Sequence, residues 1–95
     1  MMRLTASSQI RRNGDILHVA RDAEVVMMSI KAGAYYGLEE VGARIWEMIA
    51  EPMTAGDICM RLAEEYNVAS DLCEVEVLTF LNELRNQGII DVIAE

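Results

Sequence analysis

The side chains in this sequence that could take part in chemistry are sixteen carboxylates, two cysteines and a single histidine. Closely spaced carboxylates suit acid–base catalysis only where burial raises the pKa of one partner. The close pairs here fall at predicted helix ends or on predicted solvent faces, so we expect both carboxylates of each pair to be exposed to solvent. These pairs are Glu39–Glu40, Glu64–Glu65 and Glu74–Glu76.

The histidine and the cysteines do not assemble a site either. His18 lies in a predicted strand with Ile16 and Ala20 on its own side and has no nucleophile nearby, so we expect a structural or surface residue. Cys59 and Cys73 lack zinc-site and C-x-x-C spacings and lie in apolar-periodic segments, which is typical of reduced core residues. The sequence therefore predicts no catalytic residue, no metal and no cofactor. A lone reactive thiol remains the enzymatic alternative.

Length and composition predict one folded domain spanning residues 1–95, with residues 1–14 loosely held or ending in a first strand. Hydrophobic residues make up 53% and charged residues 25% of the chain, which is typical of a globular protein. The formal net charge of −8 opposes nucleic-acid binding, because phosphate would be repelled. Since no signal peptide and no apolar run of about 20 residues is found, we expect a cytoplasmic protein that does not enter a membrane.

Hydrophobic periodicity changes from strand-like to helix-like along the chain. Alternating or β-branched runs at residues 16–20, 24–30 and 34–38 predict a three-stranded antiparallel meander. Amphipathic spacing then predicts helices at about 39–50 and 54–67, the second capped by Thr54, and a third capped by Ser70 or Asp71. Gly88 ends the third helix, and residues 89–93 either form a short strand or pack under the core. The predicted fold class is α+β, with three strands followed by three helices.

The third predicted helix has an apolar face wider than its own core requires. Its buried stripe is centred on Val77 and Leu81, and at 100° per residue one flank of that stripe carries further apolar and hydrogen-bonding side chains. The residues of this flank are Val75, Leu78, Asn82 and Arg85. They either pack against the tail or a neighbouring helix, or they line a binding groove. If the groove lies on the other flank, the corresponding residues are Glu76, Thr79 and Glu83.

The strand before the first helix gives a second indication of binding. One outer strand of a three-stranded meander must present unpaired N–H and C=O groups. The strand formed by Ala34, Tyr35, Tyr36 and Gly37 has no proline or inward charge that would block its edge. An open edge beside an apolar helix face is the arrangement that accepts an added peptide strand. The same edge would also allow two copies of the chain to form a homodimer.

The run at residues 29–46, SIKAGAYYGLEEVGARIW, resembles the PqqD-like family, which comprises recognition elements for ribosomally synthesised and modified peptides. The helix begun by Thr54, with Leu62 and Tyr66, adds to this resemblance. A second group spaced along the third helix and its end also belongs to the pattern. That group is Val77, Phe80, Leu81, Leu84, Gly88 and Ile89. The similarity extends over residues 15–93 and is greatest to the stand-alone members that serve lasso-peptide biosynthesis.

The resemblance implies a winged-helix-like fold in which the leader segment of a precursor peptide adds as a fourth strand. It places the leader between the third strand (Ala34–Gly37 in this sequence) and the third helix, and it implies no catalysis. A separate cysteine-protease subunit, the leader peptidase, and then a cyclase would be the partners. The chain departs from the family at Glu39, where the family often has Asn or Asp as a helix cap, and it lacks the proline-rich and arginine-rich opening of PqqD itself.

Two further functions remain open on the sequence alone. A winged-helix DNA-binding regulator has the same number of helices, although the third helix carries Glu74, Glu76 and Glu83 against Arg85 alone. A PqqD-type chaperone of another modified-peptide pathway would share every feature described above.

Overall fold

The computed structural model of the protein describes residues 4–22, 24–67 and 69–94. In chain order the elements are β1 Gln9–Arg12, β2 Ile16–Arg21, β3 Glu24–Ser29, β4 Ala34–Glu39, α1 Glu40–Met48, β5 Met53–Thr54, α2 Ala55–Tyr66, α3 Ser70–Asn86 and β6 Ile90–Ala94. The predicted α+β class, with an antiparallel three-stranded sheet followed by three helices, is confirmed. The structure adds a second three-stranded sheet that the sequence analysis did not predict.

The predicted meander forms a sheet in the order β2-β3-β4, and both pairs of strands are antiparallel. Alternation along β3 and β4 sends one set of side chains into the core, including Val25, Met27 and Leu38, and the other set outward, whereas on β2 only Ile16 is buried. Gly33 connects β3 to β4 with φ +63°, a conformation that favours glycine.

The second sheet has the order β5-β1-β6 and joins the start of the chain to its end. Ile10 of β1 pairs with Val92 of β6 and is fully buried. The expectation of a loosely held start therefore does not describe residues 9–12, which lie in the middle of this sheet. The strand alternative for residues 89–93 is confirmed, since β6 pairs along the whole length of β1.

The N-terminal segment is also held by the start of α2. The N–H of Ala55 donates to the carbonyl of Ser8 at 2.9 Å, and the N–H of Gly56 donates to the carbonyl of Ala6 at 2.8 Å. These donors have no partner within the helix, so the segment satisfies groups that burial would otherwise penalise. A Cβ at Gly56 would lie 3.0 Å from the Ala6 oxygen, which explains why glycine stands there.

Local chemistry marks some of the helix ends, but the N-cap positions of α1 (Glu39) and α3 make no side-chain cap hydrogen bond. Thr54 accepts a hydrogen bond from the N–H of Asp57 at 3.1 Å, so the predicted N-cap of α2 is confirmed. The predicted cap of α3 is wrong, because the N-cap position is Ala69, which offers no side-chain acceptor. At the other end of α3, Gly88 has φ +76° and the N–H of Ile89 returns to the carbonyl of Leu84, as in a Schellman motif.

Trp46 of α1 connects the two sheets to the first helix. The side chain is only 2% exposed, and its Nε1–H donates to Nδ1 of His18 on β2 at 2.8 Å. Nη2 of Arg12 on β1 donates to the Trp46 carbonyl at 2.6 Å, and the guanidinium carbon lies 4.6 Å from the indole centroid. His18 is thus a structural acceptor for a buried donor, in agreement with the structural role predicted for it.

Within the described ranges, no helix is both long enough and apolar enough to cross a membrane.

The contact between His18 and Trp46 predicts a pH-dependent stability. Burial and then the charge of Arg12 lower the pKa of His18 below its usual value, and a protonated Nδ1 cannot accept the indole N–H. Because the folded state disfavours the protonated form, this stabilisation is complete above the unfolded pKa of about 6.5 and is lost as the pH falls below it. The free energy of unfolding, measured with urea between pH 7.5 and 5.5, should therefore decrease as the pH is lowered.

His18→Gln provides the matched control, because it keeps a side-chain acceptor but does not titrate. The difference in unfolding free energy between the wild type and this variant should shrink as the pH falls, while carboxylate titration is common to both proteins. A difference that stays constant from pH 7.5 to 5.5 would contradict the assignment.

Candidate peptide-binding site

The outer edge of β4 is the first component of the candidate site. β4 lies at one end of the β2-β3-β4 sheet, and no other described strand pairs with its outer edge. Backbone N–H and C=O groups along residues 34–39 are therefore available to a further strand. An open edge at β4 was predicted from the sequence, and the strand order places it there.

Side chains of β4 alternate across the sheet in the predicted register. Tyr36 is half-buried and packs against the core, Leu38 is buried, and Ala34 on the same face is half-buried. Tyr35 and Gly37 face outward, with the Tyr35 side chain 75% exposed. A peptide added beside β4 would alternate in the same way, so that every second side chain would point toward the helices.

The second component is an apolar pocket among the three helices, which we call the helical pocket. Its volume is about 260 Å³, and it is open to solvent. It is lined by Val41, Gly42 and Ile45 of α1, Leu62 and Tyr66 of α2, and Cys73, Glu76, Val77 and Phe80 of α3. This volume is below the roughly 300–1,000 Å³ of small-molecule sites and is better matched to one or two side chains of a peptide.

Phe80 brings the helical pocket next to the end of β4. A Cβ at Gly42 would lie 3.3 Å from Cζ of Phe80 and 3.6 Å from Cβ of Leu38, so all three residues meet where β4 becomes α1. No residue separates β4 from α1, and Glu40 makes the turn with φ +48°, an uncommon conformation for a residue other than glycine. This sharp turn sets Val41, which is 39% exposed, at the junction of edge and pocket.

The predicted flank of α3 and the helical pocket lie on different sides of the helix. Val75 is 64% exposed and stands about 140° around the helix from Phe80, since the two positions are five apart in the chain. Leu78 is half-buried against the core, and the amide of Asn82 donates to the Leu78 carbonyl one turn earlier. Arg85 is half-buried. A role for these four residues in binding remains a prediction.

Of the three residues on the alternative flank, Glu76 lines the helical pocket, whereas Thr79 and Glu83 are exposed on α3. The Thr79 hydroxyl donates to the carbonyl of Val75. The sequence analysis did not identify Val41 as a site residue and named Phe80 only as part of the family pattern. Gly42, one turn before Trp46, was the sequence feature that could have pointed to this part of the site. A glycine within an amphipathic helix indicates that another side chain approaches the helix closely there.

Most of the charged side chains on the three helices around the helical pocket are acidic. Arg44 of α1 forms a two-pronged ion pair with Glu65 of α2, both hydrogen bonds being 2.9 Å long. The hydrogen bond from Arg44 holds the pKa of the Glu65 carboxyl below its usual range and raises the pKa of Arg44. Glu76 at the pocket is exposed, as are Glu74 and Glu83 on the same helix. The acidic surface of α3 opposes DNA binding by this helix.

Together the fold and this geometry define an α+β domain whose open sheet edge lies beside an apolar pocket, an arrangement that accepts an added peptide strand. Residues 24–90 match the family described as "Coenzyme PQQ synthesis protein D (PqqD)". The chain belongs to the PqqD family, as its resemblance to PqqD-like proteins predicted.

A solved structure described as "TbiB1 in Complex with the TbiA(beta) Leader Peptide" is similar to this chain. It matches with a TM-score of 0.83 and 28% sequence identity over 90% of this chain and 99% of the TbiB1 chain. A comparison with curated proteins gave no significant match.

The two cysteines are free thiols in the core, as predicted. The Sγ of Cys73 lies 3.7 Å from the carbonyl oxygen of Cys59, a weak hydrogen bond between α3 and α2. Burial raises the pKa of Cys59 to about 11 and also raises that of Cys73. A thiol with a raised pKa holds little thiolate at neutral pH, which disfavours the alternative of a nucleophilic cysteine.

Both thiols should therefore react slowly with iodoacetamide in the native protein at pH 7.5. Unfolding in guanidinium chloride should accelerate the reaction by at least about tenfold, because it restores the ordinary pKa of about 8.5 and removes burial. Mass spectrometry of timed samples measures both rates. Native labelling of Cys59 as fast as in the unfolded chain would favour the reactive-thiol alternative.

Proposed function

We propose that this protein binds the leader segment of a ribosomally made precursor peptide, with the leader adding as a strand to the outer edge of β4. The observation that carries the proposal is the open edge of β4 beside the helical pocket, in a chain of the PqqD family. The similarity to a structure described as a leader-peptide complex supports the same function.

Backbone pairing alone would bind a leader weakly. Ordering a flexible peptide costs about 1–2 kcal/mol per residue, whereas a typical hydrogen bond contributes roughly 0.5–1.5 kcal/mol net. Burial of apolar side chains must supply the remainder, at about 25 cal/mol per Å². The helical pocket is an apolar cavity next to the end of β4, so we propose that inward-facing apolar or aromatic residues of the leader bind there.

The proposed role is non-catalytic and precedes the modifying enzymes. The bound leader is presented to a leader peptidase with a cysteine nucleophile and then to a cyclase, in the maturation of a lasso peptide. The raised pKa values of Cys59 and Cys73 support this division, since neither thiol is suited to attack a peptide bond. Use of the edge for peptide binding also leaves it unavailable for a homodimer.

The proposal is tested by calorimetric titration with a synthetic leader segment from the precursor peptide encoded beside this protein. The wild type should bind one leader per chain with micromolar or tighter affinity. Val41→Glu places a charge at the junction of edge and pocket without removing a fully buried side chain, and it should weaken binding by about tenfold or more.

Val75→Glu is the matched control, because it makes the same change at an exposed position on the predicted flank of α3. It should leave the affinity within about twofold of wild type if the leader occupies the helical pocket. Strong weakening by Val75→Glu, with little effect of Val41→Glu, would instead place the peptide on the flank of Val75 and Leu78. Leu78→Glu is a less clean test, because Leu78 packs against the core. No binding by a folded wild-type protein would reject the proposed function.

A further inference from the structure

Glu76 is the one charged residue among the described residues that line the helical pocket. It lies one turn after Cys73 and one turn before Phe80 on α3, so it continues the stripe that forms this wall of the pocket. After burial, the charge of Glu76 is the second cause that raises the pKa of the Cys73 thiol, so the carboxylate acts on the pocket wall. A carboxylate thus stands where an apolar side chain would complete the lining.

Within the described part of the chain, no basic side chain forms an ion pair with Glu76. The ion pairs there are Arg11–Asp91, Arg44–Glu47 and Arg44–Glu65. The arginine of α1 is therefore engaged by other carboxylates. Arg85 lies on the same helix as Glu76 but nine residues further on, which is roughly 13 Å along the axis.

The position of Glu76 becomes important when a peptide fills the pocket. In the free protein the side chain is exposed, so water solvates the carboxylate. Side chains of a bound leader would displace part of this water, and a carboxylate that loses water without gaining a donor opposes binding. A cation supplied by the leader would remove this penalty and add a charge-assisted hydrogen bond. Glu76 would therefore favour some leaders and disfavour others.

We propose that Glu76 determines specificity by selecting leaders that carry a lysine or arginine beside the apolar residue bound in the helical pocket. This inference rests on the proposed function. The methylene groups of the basic side chain would lie along the apolar lining, and its charged end would reach Glu76 where the pocket opens to solvent. Because inward-facing side chains of an added strand recur at every second residue, the two leader residues would be two positions apart.

Glu76→Gln tests the inference by removing the charge while keeping the size of the side chain. Because Glu76 is exposed, the variant is expected to fold. In calorimetric titration at low salt with a synthetic leader segment from the precursor peptide encoded beside this protein, its affinity should be about three- to tenfold weaker than that of the wild type. Raising sodium chloride to about 0.5 M should weaken the wild type more than the variant, because salt screens the ion pair.

Glu74→Gln is the matched control, since it makes the same change in net charge on the same helix. Glu74 is also exposed, but it lies about 160° around α3 from Glu76 and outside the pocket lining. This variant should bind the leader within about twofold of wild type and with the salt dependence of the wild type.

Replacing each lysine and arginine of the leader in turn by glutamine identifies the residue that meets Glu76. One replacement should weaken binding to the wild type by about three- to tenfold but should have little further effect on binding to Glu76→Gln. Replacing each leader tyrosine by phenylalanine provides the corresponding test for an uncharged donor.

Three results would overturn the inference while leaving leader binding intact. These are equal affinities of Glu76→Gln and Glu74→Gln, wild-type affinity that depends on no lysine or arginine of the leader, and coupling of Glu76 to a leader tyrosine in place of a cation. The last result would assign Glu76 to a neutral hydrogen bond. Absence of leader binding by the folded wild type would instead reject the proposed function, so the two failures are distinguishable.

Discussion

The burial of Trp46 is the constraint on which the arrangement of the two sheets depends. An indole in the core needs an acceptor for its N–H, and Nδ1 of His18 on β2 supplies it at 2.8 Å. The carbonyl of Trp46 accepts the guanidinium of Arg12 from β1. One residue of α1 thus fixes a strand from each sheet, and with them the position of α1 directly after β4. Because the helical pocket opens where α1 leaves β4, the geometry of the candidate site follows from this junction.

The parts of the fold that could be predicted are those specified by short-range patterns. β2, β3 and β4 alternate within six residues each, and Thr54 and Gly88 mark helix ends by local chemistry. The second sheet could not be predicted in this way, because β1 has only one apolar residue, Ile10, in four. Its strand identity comes from pairing with β6, some eighty residues away, and from contacts of residues 6 and 8 with α2.

For the candidate site, the sequence likewise predicts the strand edge, which depends on local pattern, but not which flank of α3 faces the pocket. The open edge of β4 follows from strand order in a meander, so Ala34 to Gly37 could be identified from the sequence alone. A helical wheel gives the angles between residues on α3 but does not say which neighbour each flank meets. The close approach of Phe80 to Gly42, beside Leu38, decides that question in the structure, and it depends on the direction in which α1 leaves the sheet. That direction is a tertiary property and has no signature in the spacing of α3.

The open edge of β4 makes self-association a constraint on the rest of the molecule. An unpaired strand edge attracts any strand, including that of another copy, and natural proteins usually block it with charge, proline or a bulge. β4 has none of these before Glu39, so protection must come from elsewhere. The net charge of −8 repels a second copy at long range without altering the edge itself. A leader bound as proposed would in addition gain apolar burial in the helical pocket beside the edge, which a second copy pairing at the edge alone would not. Selectivity for a peptide over another copy can therefore arise from the balance of whole-molecule charge against local burial, with the backbone of β4 left open.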